Sequence, residues 1–243
     1  ISKTRYLTNN QQIIRIDEEK ELPVSLKAKE YVVKMFKKEI KGKNIVILSD
    51  YNKGLLQKEV CKEIINISKK YNIPVIVDPK NEDFSIYKGA SLVTPNQMEA
   101  KKVTQRDCNT DKNAAACCQL IMEKYKINSC MITRGEKGLT YVDKNQTYHA
   151  PTRKIEVYDV SGAGDTVLSV VSACIAVNIK IEEMLNLANK AASIVIGKIG
   201  TSAINKSALF NNTNNFIKNK ILNISELKNK LKKDRKKHLR IGF

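Results

Sequence analysis

A tight glycine turn between a strand and a helix is predicted at Asp159-Val160-Ser161-Gly162-Ala163-Gly164-Asp165-Thr166. A polar, β-branched segment, 152–158, precedes this turn, and an apolar run, 167–181, follows it. The two glycines let the backbone turn sharply and keep side chains off its outer surface. The first N–H groups of the helix then point outward without partners. Together with the helix dipole they form a seat for an anion such as a phosphate.

The acidic residue Asp165 beside this anion seat indicates the chemistry of the site. Its carboxylate lies in the first helical turn, beside the seat, and two like charges placed there repel each other. Folding alone explains such a carboxylate poorly. It is well explained if a hydroxyl must lose a proton while a phosphoryl group arrives. The stretch therefore predicts phosphoryl transfer to a hydroxyl group.

Composition limits the class of protein. The chain has 243 residues, 42% of them hydrophobic, and a formal net charge of +18. That length suits one sizeable α/β domain, alone or with an appendage. The excess charge is mostly lysine spread along the chain, which favours solvated lysine faces over a nucleic-acid surface. We therefore expect no nucleic-acid partner, although the charge could attract anionic substrates.

Neither disulfides nor membrane insertion is expected. None of the six cysteines has Cys-x-x-Cys spacing, which favours buried free thiols in a reducing cytoplasm: Cys61, Cys108, Cys117, Cys118, Cys130 and Cys174. No apolar run reaches the ~20 residues that cross a bilayer. The polar start does not resemble a signal peptide. It also lacks Met, so we expect an excerpt of a longer chain.

Strand and helix patterns alternate along the chain. The predicted order is a hairpin at 2–8 and 11–17, helix 24–41, strand 44–48, helix 55–71, strands 74–77 and 91–94, helix 111–126, strand 129–133, a hairpin at 139–143 and 146–150, and helices at about 163–178 and 181–197. This alternation predicts βαβ units in a mainly parallel sheet.

In such sheets ligands bind beyond the carboxyl ends of the strands. Polar residues follow the predicted strands after Leu48, Val77, Thr94 and Thr133. We therefore expect these residues to share one rim with Asp165. The first hairpin is predicted either to cover a ligand as a flap or to be an ordinary edge hairpin.

Three motifs extend the interpretation to a family. Asp159–Thr166 resembles the signature of the ribokinase (PfkB) sugar-kinase family, and Asn96-Gln97-Met98-Glu99 resembles its Asn-x-x-Glu motif. Asn189-Lys190-Ala191-Ala192 and Gly197-Lys198-Ile199-Gly200-Thr201 resemble its adenine-side loop. Walker A and Gly-x-Gly-x-x-Gly patterns are missing from the sequence. The resemblance implies a ribokinase-like α/β fold, with a mainly parallel sheet flanked by helices and a small β flap.

Within that family the sequence resembles the kinases of D-glycero-β-D-manno-heptose 7-phosphate. The resemblance is carried by Arg5 with Asn10-Gln11-Gln12-Ile13-Ile14-Arg15, Ser49-Asp50-Tyr51-Asn52-Lys53-Gly54, Asp78-Pro79-Lys80, Thr94-Pro95-Asn96 and the segment 197–202. It implies ATP-dependent phosphorylation at O1 to the 1,7-bisphosphate, on the way to ADP-heptose for the lipopolysaccharide core. These kinases are commonly the N-terminal half of bifunctional proteins. We therefore expect a sugar kinase domain at 1–205, then a linker and basic helix at 206–243 that lead to an adenylyltransferase domain.

The resemblance also implies catalytic and metal-binding roles. Asp165 is the base that takes the proton of the O1 hydroxyl, and Gly162, Ala163 and Gly164 form the anion hole for the phosphoryl group. Glu99 orients water on Mg²⁺, and Asn96 helps to place the metal and the phosphates, so both act on the metal through water.

Nucleotide and substrate roles follow in the same way. The residues implied to bind ATP are Asn96, Gln97, Met98, Glu99, Thr133, Gly135, Gly138, Asn189, Gly200 and Thr201. Those implied to contact the sugar phosphate are Arg5, Asp50, Lys53, Lys80 and Arg134. The resemblance thus implies ATP and Mg²⁺ as cofactors, a sugar phosphate as substrate, and a homodimer formed through the β flap.

Structural interpretations of several motif residues stay open. Asn96 could cap a helix, with Glu99 closing a capping box. Asp50 and Lys53 could form a surface pair, and Asp78 before Pro79 could end a strand in a turn. The family's sugar-binding residues lie mostly in an N-terminal third that this sequence lacks, so we expect a fold incomplete at its N-terminus. Another acceptor (ribose, a fructose phosphate or a nucleoside) and a non-catalytic binding subunit are the alternatives.

Overall fold

The computed structural model of the protein describes residues 2–8, 11–18, 24–152, 160–197 and 203–210. Outside these ranges lie most of the strand predicted at 152–158, most of the linker and basic helix predicted at 206–243, and the predicted ATP-binding residues Gly200 and Thr201. Within them, no helix is both long enough and apolar enough to cross a membrane.

The predicted N-terminal hairpin is present. Strands β1 (Ser2–Thr8) and β2 (Gln11–Glu18) pair antiparallel in a two-stranded sheet of their own. Tyr6 lies opposite Ile14, and Thr4 lies opposite Ile16. Because directly opposed residues share one face of a sheet, Tyr6, Ile14 and Ile16 form an apolar strip, and all three are exposed.

The described residues also form one six-stranded mixed sheet. Its strands are β3 (Val46–Ser49), β4 (Val75–Asp78), β5 (Leu92–Val93), β6 (Cys130–Thr133), β7 (Leu139–Val142) and β8 (Thr147–Ala150), and they lie side by side in chain order. Strands β3 to β6 pair parallel, and β6 to β8 pair antiparallel as a meander. The predicted mainly parallel α/β sheet is confirmed.

Helices cover both faces of this sheet. They are α1 (Leu26–Glu39), α2 (Lys58–Lys70), α3 (Gln97–Thr104), α4 (Asp111–Tyr125), α5 (Ala163–Ala176) and α6 (Ile181–Ile196). A short helix, α7 (Lys206–Phe210), begins the segment predicted as a linker. Helix α2 begins three residues later than predicted. The positive φ angles of Asn52 (53°) and Gly54 (83°) keep the preceding residues in a loop.

Alternation along the strands divides the apolar residues into two cores. Val75 and Val77 of β4 belong to the core under α2 and α4, whereas Ile76 belongs to the core under α5 and α6. Both cores consist mainly of aliphatic side chains, and each buried one contributes roughly 1.5–3 kcal/mol to stability. All six cysteines are buried, as predicted. Apolar packing thus covers both faces of the sheet, and this packing fixes the position of the carboxyl edge.

Candidate active site

A cleft of about 200 Å³ lies at the carboxyl edge of the sheet. Strands β4, β5 and β6 supply residues at or just after their ends, and the start of α5 supplies the opposite wall. The lining residues are Tyr51, Asp78, Lys80, Thr94, Asn96, Glu99, Thr133, Gly162, Gly164, Asp165, Val167 and Leu168. The structure therefore brings together the strand-end residues that the sequence predicts to share a rim with Asp165.

The start of α5 is open toward this cleft. Gly162 caps the helix in the left-handed conformation (φ 79°), and its carbonyl accepts hydrogen bonds from the Thr166 N–H (2.9 Å) and hydroxyl (2.8 Å). A Cβ atom placed on Gly162 or Gly164 would meet nothing within 4 Å. Among the described residues, the N–H groups of Gly164 and Asp165 have no acceptor. The turn can therefore offer N–H donors to an anion.

Asn96 and Glu99 begin helix α3 as a capping box. The Asn96 Oδ1 accepts hydrogen bonds from the N–H groups of Met98 and Glu99, both at 2.9 Å, and the Asn96 N–H donates to Glu99 Oε2 at 2.8 Å. Asn96 and Glu99 thus form the capping box that the sequence offered as the structural interpretation of this motif. The second Glu99 oxygen, Oε1, accepts from Lys80 Nζ at 2.7 Å. The capping box therefore holds Glu99 at the cleft and does not exclude a functional role.

Negative charge is concentrated in the cleft. Burial raises the pKa of the Asp78 carboxyl to about 6; the Lys80 ammonium opposes this rise, and the Glu99 and Asp165 carboxylates add to it. Burial alone would lower the pKa of Lys80. The hydrogen bond to Glu99 and the negative charges of Asp78 and Glu99 outweigh burial and raise it. Lys80 is therefore firmly protonated between carboxylates that are not fully compensated.

Two predicted substrate residues point into the protein and do not line the cleft. Asp50 is 3% exposed, and its carboxylate accepts hydrogen bonds from the Tyr87 hydroxyl and, at 2.7 Å, from the Asn52 N–H. The buried Arg134 side chain donates to Asp111 Oδ1 at the start of α4, and to the Lys137 carbonyl at 3.3 Å. Both residues anchor loops beside the cleft in this structure, and their contacts with substrate remain predictions.

Two residues predicted to lie near the nucleotide hold the end of β8. Asn189 is nearly buried and donates from Nδ2 to the carbonyls of Ala150 (2.8 Å) and Pro151 (3.3 Å). Gly138 has φ 82°, and a Cβ there would lie 2.0 Å from the Ala150 carbonyl oxygen. Each residue therefore has a structural role at the end of β8, independent of any contact with a nucleotide.

The remaining predicted residues lie near the cleft or at the surface. Gln97, Met98 and Ala163 occupy the first turns of α3 and α5, and Met98 is 73% exposed. The Ala163 N–H, predicted to belong to the anion hole, donates to the Val160 carbonyl at 3.2 Å. Gly135 follows β6 with φ 58° and open space beside its Cα. Lys53 is exposed in the loop before α2, and Arg5 is exposed on β1.

Tyr51 and Asp78 line the cleft, and both belong to strand-end segments that the sequence predicts to share the rim, but no individual role is predicted for either. Asp78 ends β4, where parallel sheets commonly present functional groups, so its position was a usable signal. Tyr51 follows Asp50 in the polar loop after β3, and its side chain is 60% exposed. Nothing in the loop sequence separates this tyrosine from an ordinary surface residue.

A larger groove lies between α1 and α2, with a volume of about 490 Å³. Aliphatic and charged side chains line it, among them Leu26, Lys34 and Glu63. None of the predicted site residues lines it, so we assign the chemistry to the smaller cleft. Among the described residues, no group of three or more His, Cys, Asp or Glu side chains is arranged to hold a metal ion directly.

Comparison with known proteins agrees with this geometry. The family model of the pfkB family carbohydrate kinases matches residues 2–208. The chain is 41% identical over 212 residues to the bifunctional protein HldE of Haemophilus influenzae, covering 87% of this chain and 44% of that protein. It is 38% identical over 203 residues to the HldE protein of Geotalea uraniireducens, covering 83% of this chain and 41% of that protein. The chain thus spans less than half the length of these curated relatives.

Solved structures support the fold. Phosphofructokinase-2 from Escherichia coli superposes with a TM-score of 0.70 at 21% identity, over 82% of this chain and 64% of that chain. Ribokinase from Arabidopsis thaliana, complexed with ribose and ATP, superposes with a TM-score of 0.64 at 18% identity, over 75% of this chain and 58% of that chain. The predicted ribokinase-like fold class is confirmed.

Proposed function

Because this chain belongs to the pfkB family of carbohydrate kinases, we propose that its protein phosphorylates D-glycero-β-D-manno-heptose 7-phosphate at O1 with ATP. The product is the 1,7-bisphosphate, in the cytoplasmic route to ADP-heptose for the lipopolysaccharide core. The observation that carries the kinase proposal is the single cleft that joins Asp165 and the open α5 start to Asn96 and Glu99. The choice of acceptor rests on similarity to the HldE proteins.

In this mechanism the protein mainly positions groups and compensates charge. Asp165 accepts the proton of the acceptor hydroxyl as that oxygen attacks, which is the role of a general base. The N–H groups of Gly164 and Asp165, which have no acceptor among the described residues, donate to the phosphoryl oxygens, where negative charge develops. Because these donors are backbone groups on a packed helix, they need no reorganisation during the reaction.

The residues of the cleft fit ATP bound with Mg²⁺. The carboxylates of Asp78, Glu99 and Asp165 line the cleft, and Lys80 contacts the first two. Oxygen donors of the kind that a hard divalent cation prefers are therefore present, although among the described residues no three are placed to bind it directly. Bound there, the nucleotide supplies the transferred phosphoryl group and the metal neutralises its charge. Asn96 and Glu99 would hold the metal through water, because Mg²⁺ usually keeps several waters. Thr133 and Gly135 would face the nucleotide phosphates.

A panel of acceptors tests the proposed substrate. We expect the full-length protein to transfer phosphate to O1 of the heptose 7-phosphate, with a kcat/KM at least about 100-fold above those for ribose, fructose 6-phosphate and a nucleoside. Phosphorus NMR of the product identifies the position of the new phosphate. Preference for another acceptor would leave a carbohydrate kinase with a different substrate. Lack of turnover with every acceptor would favour the non-catalytic binding subunit.

We also propose a homodimer formed through the N-terminal hairpin. The exposed apolar strip of Tyr6, Ile14 and Ile16 is the supporting observation, because soluble monomers rarely expose contiguous apolar patches. We expect Ile14→Lys to shift the protein from dimer to monomer in sedimentation velocity. Lys3→Ala, on the same hairpin, is the control and should leave the dimer intact. A monomeric wild type would contradict this proposal.

The segment 206–243 is proposed to connect the kinase domain, 1–205, to an adenylyltransferase domain. The support is that the HldE relatives are named bifunctional and that the chain covers only 41–44% of two of them. Reading the coding sequence downstream of Phe243 tests this directly. A stop codon directly after the codon for Phe243 would contradict this proposal.

A further inference from the structure

Lys80 occupies an unusual position for a residue expected to contact substrate. Its Nζ lies 2.7 Å from Glu99 Oε1 and 3.5 Å from Asp78 Oδ1. The lysine side chain is 37% exposed, whereas those of Asp78 and Glu99 are 21% and 17% exposed. Its ammonium is therefore engaged by the two carboxylates on the wall of the cleft opposite the α5 turn.

The same carboxylates are the groups toward which a metal–nucleotide complex would be drawn. Glu99 is held in place by the capping box, so it cannot turn away from the cleft. Asp78 is fixed at the end of β4 by the strand ladder, in register with Ser49 of β3. Lysine, in contrast, is a point charge on a flexible four-carbon stem. Of the three side chains, Lys80 is the one that can move when another cation arrives.

We propose that Lys80 is an exchangeable counterion, which occupies the Asp78 and Glu99 carboxylates until the metal–nucleotide complex binds. In the free protein its ammonium compensates Asp78 and Glu99. It leaves them when a divalent cation takes over that compensation. The released ammonium then pairs with phosphate oxygens of the acceptor. Gly162, Gly164 and Asp165 line the same cleft. This inference rests on the proposed kinase function and adds to it a coupling between nucleotide binding and acceptor binding.

The alternative is that Lys80 is a permanent structural ion pair between the 79–82 segment and α3. The chain offers a matched control for this alternative. Lys102 of α3 pairs with Glu82 at 3.3 Å, and both side chains are more than 60% exposed. It therefore joins the same two segments outside the cleft. A purely structural role predicts that removing either lysine has similar, small effects.

Titration with Mn²⁺ distinguishes the two roles without any measurement of turnover. Free Mn²⁺ is followed by electron paramagnetic resonance in the presence of a non-hydrolysable ATP analogue. We expect Lys80→Met to bind Mn²⁺ about tenfold more tightly than wild type, since no internal cation competes for the carboxylates. Lys80→Arg, which keeps the charge, should stay within about threefold of wild type. Lys102→Met should leave the affinity unchanged.

Unchanged or weaker Mn²⁺ affinity in Lys80→Met, with a wild-type unfolding temperature, would overturn the proposal. If Lys80→Met does not fold, Lys80→Gln replaces it, because the amide keeps a donor without the charge. In the full-length protein we expect Lys80→Met to raise the acceptor KM at least tenfold while the KM for the metal–nucleotide does not rise. An acceptor other than the heptose phosphate would leave the Mn²⁺ result intact, so failure of the proposed substrate and failure of this inference are separable.

Discussion

Replacement of Asp165 by asparagine is expected to lower kcat by about 100-fold to 10,000-fold, the range measured for loss of a general base. The amide has nearly the same shape as the carboxylate, but it cannot accept the proton of the attacking hydroxyl. The Asp165 side chain is exposed to the cleft, so the substitution creates no buried defect. Nucleotide affinity, measured by calorimetry, should remain close to that of the wild type.

Glu182→Gln is the matched control for this variant. Asp165 and Glu182 are both acidic residues in the first turn of a helix, α5 and α6 respectively. Each substitution therefore removes a similar interaction with a helix dipole, worth about 0.3–1 kcal/mol. We expect Glu182→Gln to keep full turnover. A turnover of Asp165→Asn within threefold of wild type would disprove the assigned mechanism.

Substitution of Gly138 by alanine is expected to have the largest effect on stability, at least about 3 kcal/mol. The residue has φ 82° and ψ −144°, a region that only glycine occupies readily. The new Cβ would also lie 2.0 Å from the Ala150 carbonyl oxygen and 2.8 Å from the Thr152 nitrogen. Both are backbone atoms, so relief requires movement of the chain at the end of β8. Urea denaturation measures the loss.

Gly42→Ala is the reference for a glycine with positive φ and no close neighbour. Gly42 also has a positive φ (78°), but a Cβ there would meet nothing within 4 Å. Gly42→Ala should therefore lower the free energy of unfolding only by the cost of a positive φ in alanine, about 1–2 kcal/mol. If Gly138→Ala proved no more destabilising than Gly42→Ala, the close approach to β8 would be unimportant. In that case the resemblance-based role of Gly138 beside the nucleotide would be the better explanation for this glycine.

Most of the fold is predictable from local patterns. Four-residue apolar runs such as the one in β4 are too short for a helix, and alternation of strands with amphipathic helices leaves few topologies. Helix α3 shows the limit of this approach. Its capping box was recognised as one interpretation of Asn96 and Glu99, but eight residues with a weak apolar pattern did not predict the helix itself.

The candidate site is predictable where a role depends on neighbours in sequence. Gly162, Gly164 and Asp165 belong to one turn, so their geometry follows from the glycines and the helix that succeeds them. Their convergence with Asn96 and Glu99 follows from the parallel strands, whose carboxyl ends lie on one edge. Both inferences need only the order of the elements.

Side-chain partners distant in sequence were decided by the tertiary structure alone. Asp50 bonds to Tyr87, 37 residues away, and Arg134 bonds to Asp111, 23 residues away. Lys80 reaches Glu99 across 19 residues. The direction in which a polar side chain turns depends on which donor or acceptor packing brings within about 3 Å of it, and no local pattern encodes that. The local sequence therefore determined the open start of α5 with Asp165 beside it, and packing decided which of the other charged side chains already have partners.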